Sequence, residues 1–533
     1  MRSRHTTPLA SLFLLLLTTA LLCIPARAAE EDEAPEEYDE QARVVRVSLL
    51  RGEVSLKRAG NQEWESAKLN LPLVEGDTLA TGRDSRLEIQ IDARNFVRVG
   101  ADSVLRVVSL REEGIALSLS EGTATLRLSS FDAAREYFEI DAPKTTIAAE
   151  KSGLYRLDVG MDGAVRVTVR DEGRARIYSE TSGFTLRNGR SARLLSGNDA
   201  EGDWEISSAA SFDHWDTWND ERERYLATRL RYEDRERYYD RDVWGAEELD
   251  AYGDWSYTKE YGYIWRPHVT VINHYQNWAP YRYGHWRWCP PYGWTWVADE
   301  DWGWAPYHYG RWVYYNNNWC WAPRGYGYNY RRAYWRPALV AFVSISTSFG
   351  EQVCWYPLQH GQRDPRGRHH ARYRHRLSPL RADRLAHLER THPALLRAVT
   401  SVPAREFGAD AIRTRAASVE LARRTVTTEP LRGRLPIVPG ASRRVSPAGT
   451  NGRADGLEGR DSDAAGREAV QEGRASLRGA RPASVRPPRS VPVRATGAAE
   501  RAPGVALDTE LRRTRIFNNR ERRLPSSTVD EGR

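Results

Sequence analysis

Few side chains in this 533-residue sequence could do chemistry, and most of them sit in one tryptophan-rich stretch. Asp299-Glu300-Asp301 is the one acidic cluster there. A glycosidase needs two carboxylates held a fixed distance apart across a cleft. One contiguous run does not supply that, and a polar loop is the simpler reading. His268, His274, His285 and His308, with Cys289, Cys320 and Cys354, are the candidate metal ligands. None has C-x-x-C or H-x-x-x-H spacing, so neither a metal site nor a cofactor is predicted. No glycine-rich phosphate loop or nucleophile elbow occurs, and no catalytic residue is assigned. Setting aside Cys23 near the N-terminus, three cysteines remain. An oxidising compartment would join two of them. Cys289 and Cys320, in neighbouring repeat copies, are the expected pair.

What remains is aromatic. Of 19 tryptophans, 15 lie between Trp244 and Trp355. Aligned on itself, this stretch repeats. Gly253-x-Trp255 with Gly262-Tyr263-Ile264-Trp265 returns as Gly284-x-Trp286 with Gly293-Trp294-Thr295-Trp296, then as Gly310-x-Trp312 with Trp319-Cys320-Trp321. The phrase Trp278-Ala279-Pro280-Tyr281-Arg282-Tyr283-Gly284 returns as Trp304-Ala305-Pro306-Tyr307-His308-Tyr309-Gly310. Each copy reads as strand, turn, strand, with indoles at alternate positions on one face. Rings repeated with the fold serve as its core, at ~150–250 Å² of contact surface each. Rings left at the surface would form platforms for sugars. Tyr281, Tyr283, Tyr307 and Tyr309 are the better surface candidates, because a phenol hydroxyl seeks water or a partner.

The elements around this stretch differ in kind. Arg2, Arg4 and His5 precede an apolar run from Leu9 to Ile24, then Ala26-Arg27-Ala28. This is a secretory leader, residues 1–28, with a mature chain starting near Ala29. Leu21-Leu22 ahead of Cys23 fits a lipobox poorly. An acidic linker fills 29–43, and no second apolar run could cross a bilayer. From 44 to 196 polar and apolar residues alternate, as in Arg86-Leu87-Glu88-Ile89-Gln90-Ile91, Thr123-Ala124-Thr125-Leu126-Arg127-Leu128 and Val165-Arg166-Val167-Thr168-Val169. With glycines between the runs, this predicts an antiparallel β sandwich or roll. Gly76-Asp77 and Thr81-Gly82 read as turn chemistry rather than a ligand loop.

The same domain resembles the FecR family. Gly52-Glu53-Val54, Trp64, Leu73 and Gly76-Asp77-Thr78-Leu79-Ala80-Thr81-Gly82 carry the likeness, followed by Ser85-Arg86-Leu87-Glu88-Ile89. Glu121-Gly122, Ala142-Pro143 and Gly153-Leu154-Tyr155-Arg156-Leu157 continue it, with Leu154 where the family usually has Thr. The resemblance implies an extracytoplasmic β domain for protein contacts and, in some members, signalling to a sigma-factor system. Those members carry a cytoplasmic segment ahead of a membrane helix. The few residues before this leader do not provide one, so direct sigma-factor binding is not expected. Leu249-Asp250-x-Tyr252-Gly253-x-Trp255, Tyr261-Gly262-Tyr263-Ile264-Trp265-Arg266-Pro267 and the two Trp-Ala-Pro-Tyr phrases resemble an exported bacterial domain of unknown function. That domain is often found behind FecR domains, and the likeness covers residues 210–335. The pairing implies a bacterial envelope protein.

Residues 204–250 read as a charged helical connector, with Asp220-Glu221-Arg222-Glu223-Arg224 offering opposite charges three and four apart. It is expected to lie against the aromatic repeat, residues 251–358. The tail, 360–533, is expected to be mostly disordered, with short helices at Leu380–Glu389 and Ala394–Val399. From residue 361 it holds 36 Arg against 19 acidic residues, a surplus of 17. With a total of +7, the first 360 residues carry −10. Such a tail suits anionic polymers, or folds back on the acidic body; export makes nucleic acid an unexpected partner. The expected fold class is mainly β. The expected function is non-catalytic binding or scaffolding in the periplasm or cell envelope, with an envelope protein or glycan as partner. A polysaccharide- or peptidoglycan-binding module and an envelope hydrolase are the alternatives.

Overall fold

Two-residue periodicity builds the first domain, as the alternation predicts. One layer runs, in spatial order, Pro72–Leu73, Val45–Arg51, Arg86–Gln90, Asn95–Val99, then the second half of Gly114–Leu128. It continues through Gly153–Val159, Val165–Arg170, Arg190–Leu194 and Trp204–Ser208. The other layer holds Val54–Lys57, Thr78–Thr81, Val104–Arg111, the first half of Gly114–Leu128, Tyr137–Ala142, Thr145–Ala149, Arg174–Ser179 and Gly183–Arg187. One long strand thus serves both layers. It changes layer at Gly122, where φ is 90° and a Cβ would stand 2.1 Å from Ser103 Oγ. Only glycine fits there. Val47, Leu87, Val97, Leu105, Leu119 and Ile177 fill the space between the layers.

The structure, a computed structural model, describes residues 43–179, 183–194, 204–229, 236–324, 335–362, 379–391, 393–409, 414–431, 435 and 437. The leader, residues 29–42 of the linker and residues 438–533 of the tail lie outside them. Among the described residues no helix is long and apolar enough to cross a membrane.

The connector departs from expectation twice. Trp204–Ser208 is a strand and completes the first layer by pairing with Arg190–Leu194. Helix α1, His214–Arg229, lies back on that layer rather than only on the aromatic repeat. Trp215 Nε1 donates to Thr125 Oγ1 at 2.9 Å, and Arg86 stands 4.8 Å over the Trp218 ring. The charges that read as solvated meet opposite charges that the sheet buries, and this draws the helix down.

The aromatic stretch folds as predicted into three hairpins: Gly253–Thr258 with Gly262–Pro267, Gly284–Cys289 with Gly293–Ala298, and Arg311–Tyr315 with Asn318–Ala322. The first and third join through Trp265 and Trp321; the second stands as its own two-stranded sheet. The repeated glycine has a steric cause. A Cβ on Gly253 would lie 2.6 Å from the Trp265 ring, and one on Gly310 would lie 2.7 Å from Trp321 Nε1. Each glycine leaves room for the last indole of its own hairpin. Trp265, Trp296, Trp304, Trp312 and Trp321 are all fully buried.

Part of the basic tail, among the described residues, is folded. Hairpin Val340–Thr347/Gly350–Pro357 pairs onward with Thr400–Pro403, which pairs with Arg415–Ala416. Helices Ala382–Thr391 and Pro393–Arg397 stand close to the two expected, and a third runs Val419–Thr427. The reason lies in the hairpin, which is apolar on both faces. Phe342 and Trp355 enter the aromatic core, while Val343, Ile345 and Cys354 need a cover. Leu396, Val399, Ala422 and Val426 from the tail provide it. Composition averaged over 174 residues hid the strands and the last helix of this segment, because the rest dilutes their apolar residues.

Candidate functional site

The joint between the β domain and the aromatic unit is the most highly organised polar region. Strand Arg86–Gln90 alternates, so Glu88 and Gln90 share the face turned away from the β core. Glu88 is fully buried there and accepts from Arg98 Nε at 2.8 Å and from Arg222 Nη2 of α1 at 2.7 Å. Burial alone would raise its carboxyl; Arg98 and Arg222 outweigh this and hold it at about 2. Arg98 also meets Glu223 at 2.6 Å. Beside this group Arg46 donates from Nε to Gln90 Oε1 at 2.8 Å and from Nη1 to Asn70 Oδ1 at 2.5 Å. Gln90 Nε2 in turn donates to Glu247 at 2.7 Å.

The same side chains reach the aromatic unit. The Arg46 guanidinium stands 5.5 Å over the Trp304 ring, and Asn70 Nδ2 donates to the Asp301 carbonyl at 3.0 Å. Further out Arg287 pairs with Glu65 at 3.3 Å, and Tyr292 donates to the Arg43 carbonyl at 2.9 Å. Val74 packs with Cys289 and Tyr292. Buried charges of this kind are stable only when all partners are present. They fasten domain, helix and hairpins together.

Glu300 is not the polar loop residue the sequence suggests. It is 2 % exposed and lies where the two repeated phrases meet. Trp278 Nε1 donates to its Oε1 at 2.7 Å and the Tyr307 hydroxyl at 3.0 Å. Its Oε2 is buried without a hydrogen-bond partner. Burial pushes the carboxyl up to about 7 against those two donors. Tyr281 donates to the Tyr307 carbonyl at 2.7 Å, and Trp355 Nε1 to the Tyr281 carbonyl at 2.8 Å. The carboxyl therefore ties the two phrases together inside the core. Its repeat-bound donors, Trp278 and Tyr307, were visible in the sequence; the acid between them carried no periodic signal.

The candidate ligand tyrosines separate. Tyr281, Tyr307 and Tyr309 are 0 %, 0 % and 2 % exposed, so they are core residues and not a sugar platform. Their hydroxyl groups find protein partners inside instead of water, as Tyr281 and Tyr307 show. Tyr283 alone is half-buried, its ring 4.5 Å from Tyr275. A partly accessible ladder of rings lies elsewhere, on the first hairpin and the segment before it. Tyr238 stacks on Trp255 at 4.7 Å and meets Tyr263 edge-on at 5.0 Å; Tyr263 meets Tyr257 at 5.3 Å. Tyr257 is 63 % exposed. The same register places Trp255 and Tyr257 opposite Trp265 and Tyr263, so this ladder grades from core to solvent.

The expected Cys289–Cys320 disulfide does not form: both are free and buried, as is Cys354. Cys289 packs at the joint with Val74 and Tyr292, while Cys320 packs with Ile264, Val313 and Ala322. Repeat copies that neighbour in sequence thus bury these thiols in separate clusters. Among the described residues no group of three His, Cys, Asp or Glu could hold a metal ion. His268 and His285 pair instead with Asp254 and Asp299, each at 3.2 Å.

A two-layer β body, antiparallel except where Tyr137–Ala142 runs parallel to Gly114–Leu128, locked to a tryptophan-hairpin unit is thus the class of protein. Residues 77–176 match the family described as FecR protein, and residues 246–362 match a family of unknown function (DUF6600), so the chain carries a FecR domain followed by a DUF6600 domain. No curated protein matches the chain. Among solved structures it is similar to a "putative anti-sigma factor" from Parabacteroides distasonis at 2.50 Å resolution, with 14% identity and a TM-score of 0.22. A second structure under that description, at 1.65 Å, gives 13% and 0.22. Each match covers 25% of this chain, which spans 59% of the length of that one.

Proposed function

We propose that this is an exported envelope protein that acts by binding and scaffolding, without catalysis. The carrying observation is the joint: Arg46, Glu88 and Arg98 of the β body, Arg222 of α1 and Trp304 of the aromatic unit are fastened in one buried network. A joint so fixed suits a rigid docking body rather than a hinged cleft. The FecR domain supplies the broad sheet for a protein partner, and the aromatic unit holds its own core together without Leu-rich packing. The leader at 1–28 directs the chain to the periplasm or cell envelope. The test is crosslinking in intact cells, with fractionation of the same culture. A defined envelope partner recovered with the processed chain supports the reading; a chain retained in the cytosol with its leader intact contradicts it.

A second reading rests on the ladder of Tyr238, Trp255, Tyr263 and Tyr257. Half-exposed rings set at 4.7–5.3 Å offer apolar faces to sugar rings, and the glycan would be peptidoglycan or exopolysaccharide. Retention on these polymers that falls tenfold in Tyr257→Ala would support it. Equal retention of the variant, or none by the native protein, removes it.

A further inference from the structure

The outer face of the first layer carries an unusual row of side chains. Strand register sets Asp158 opposite Arg166, Arg166 opposite Arg193, and Arg193 opposite Glu205. The next row on the same face sets Arg156, Thr168, Ser191 and Ser207 side by side. These residues line a cavity of about 300 Å³, walled on one side by the segment that leads into α1. That size is the small end of ligand pockets, ~300–1,000 Å³.

Arg156 is fully used. It pairs with Asp158 at 3.0 Å, Asp213 at 2.7 Å and Asp216 at 3.0 Å. Arg170 donates to the Ala210 carbonyl at 2.6 Å, and its Nε is buried without a hydrogen-bond partner. Arg166 and Arg193 are exposed, and among the described residues neither has an ion-pair partner. Like charges directly opposite across strands destabilise a sheet. Asp158 and Glu205 stand at the two ends of the row, and between them the two guanidinium groups lie side by side, leaving a place for an oxyanion. Guanidinium groups suit carboxylate and phosphate because the planar fork binds both oxygens.

The rest of the site restricts the ligand further. Thr168 and Ser191 hydroxyl groups bond each other at 2.8 Å in the floor, and Ser207 stands exposed next to them. Glu205, also exposed, would repel a dense polyanion but accept hydroxyl donors. We infer that this face binds an acidic sugar unit, a carboxylate or phosphate on a hydroxylated ring, with Arg166 and Arg193 on the anion and Glu205 and Ser207 on the hydroxyl groups. The site lies on the FecR domain and does not depend on the ring ladder.

The test is a titration of the full mature chain with glucuronate, glucose 1-phosphate, inorganic phosphate and glucose, monitored by chemical shift or heat. One or both sugar acids should bind, and which one distinguishes a carboxylated from a phosphorylated ligand. Binding should weaken at least tenfold in Arg166→Gln/Arg193→Gln and stay unchanged in Tyr257→Ala. The double variant should fold, since Arg166 and Arg193 are exposed and belong to no core cluster, and its circular dichroism spectrum checks this. No binding by either sugar acid, or binding unaffected by the double variant, overturns the inference. Inorganic phosphate binding as tightly as both sugar acids reduces the face to a plain anion site and overturns the sugar assignment.

Discussion

At the scale of single residues, Glu300 shows how a core can depend on one proton. Its carboxyl is raised from 4.5 to about 7 by burial. Below pH 4.5 folded and unfolded chains both hold the proton, and the group costs nothing. As pH rises from 4.5 towards 7 the unfolded chain ionises first, so stability falls, by roughly 3 kcal/mol in all. His308 acts in the opposite sense. Burial lowers it from 6.5 to about 3, so its contribution is complete above 6.5 and is lost as the solution becomes more acidic. Glu300→Gln isolates the first effect, because the amide oxygen can still accept from Trp278 and Tyr307. The difference in unfolding free energy between variant and native protein should grow in the variant's favour from pH 5 to pH 8; a constant difference would place the carboxyl in water. The thiols give a second test. Burial pushes Cys320 and Cys354 up to about 11 and raises Cys289 as well. All three should resist alkylation at pH 8 in the native protein and react once it is denatured. Protection that survives denaturation but not reduction would indicate a disulfide.

At the scale of elements, each piece is positioned by what it must bury. Helix α1 has little apolar surface to hold it, so Arg222 and Glu223 hold it through Glu88 and Arg98. Arg98→Met leaves the Glu88 carboxylate short of one cation, and breaking a buried pair in this way costs ~3–5 kcal/mol. Glu88→Leu/Arg98→Met/Arg222→Met, which removes the acid with both of its cations, should recover much of that loss in denaturant melts; a triple variant as weak as the single one would deny the pairing. Gly310→Ala should likewise lower the melting temperature sharply, because its Cβ meets the Ala322 carbonyl at 2.3 Å and its φ is 62°. The strands were legible because both the alternation at 86–91 and the Gly-x-Trp spacing are local patterns. The direction in which α1 packs was not, since its partners are charges more than 100 residues away. Nor was the burial of Tyr281, Tyr307 and Tyr309: a hydroxyl predicts a hydrogen bond, but not that the partner is a carbonyl or a buried acid. Of the tail's folded segment the two helices near 380–399 were legible, whereas strand Thr400–Pro403 and helix Val419–Thr427 were not, because arginine surrounds their apolar residues.

At the scale of the whole molecule, the chain behaves as a β body and an aromatic unit sharing one polar joint, with part of the basic tail completing the aromatic core. Arg46 is central to that joint, touching Gln90, Asn70 and Trp304 at once. Native-state hydrogen exchange on the full chain reads the coupling directly. Amides of Arg86–Gln90 and of Gly293–Ala298 should open with the same free energy in the native protein, and Arg46→Met should lower both together. Exchange in which the hairpins open independently of the β body, with Arg46→Met altering only one of them, would contradict a rigid two-part scaffold.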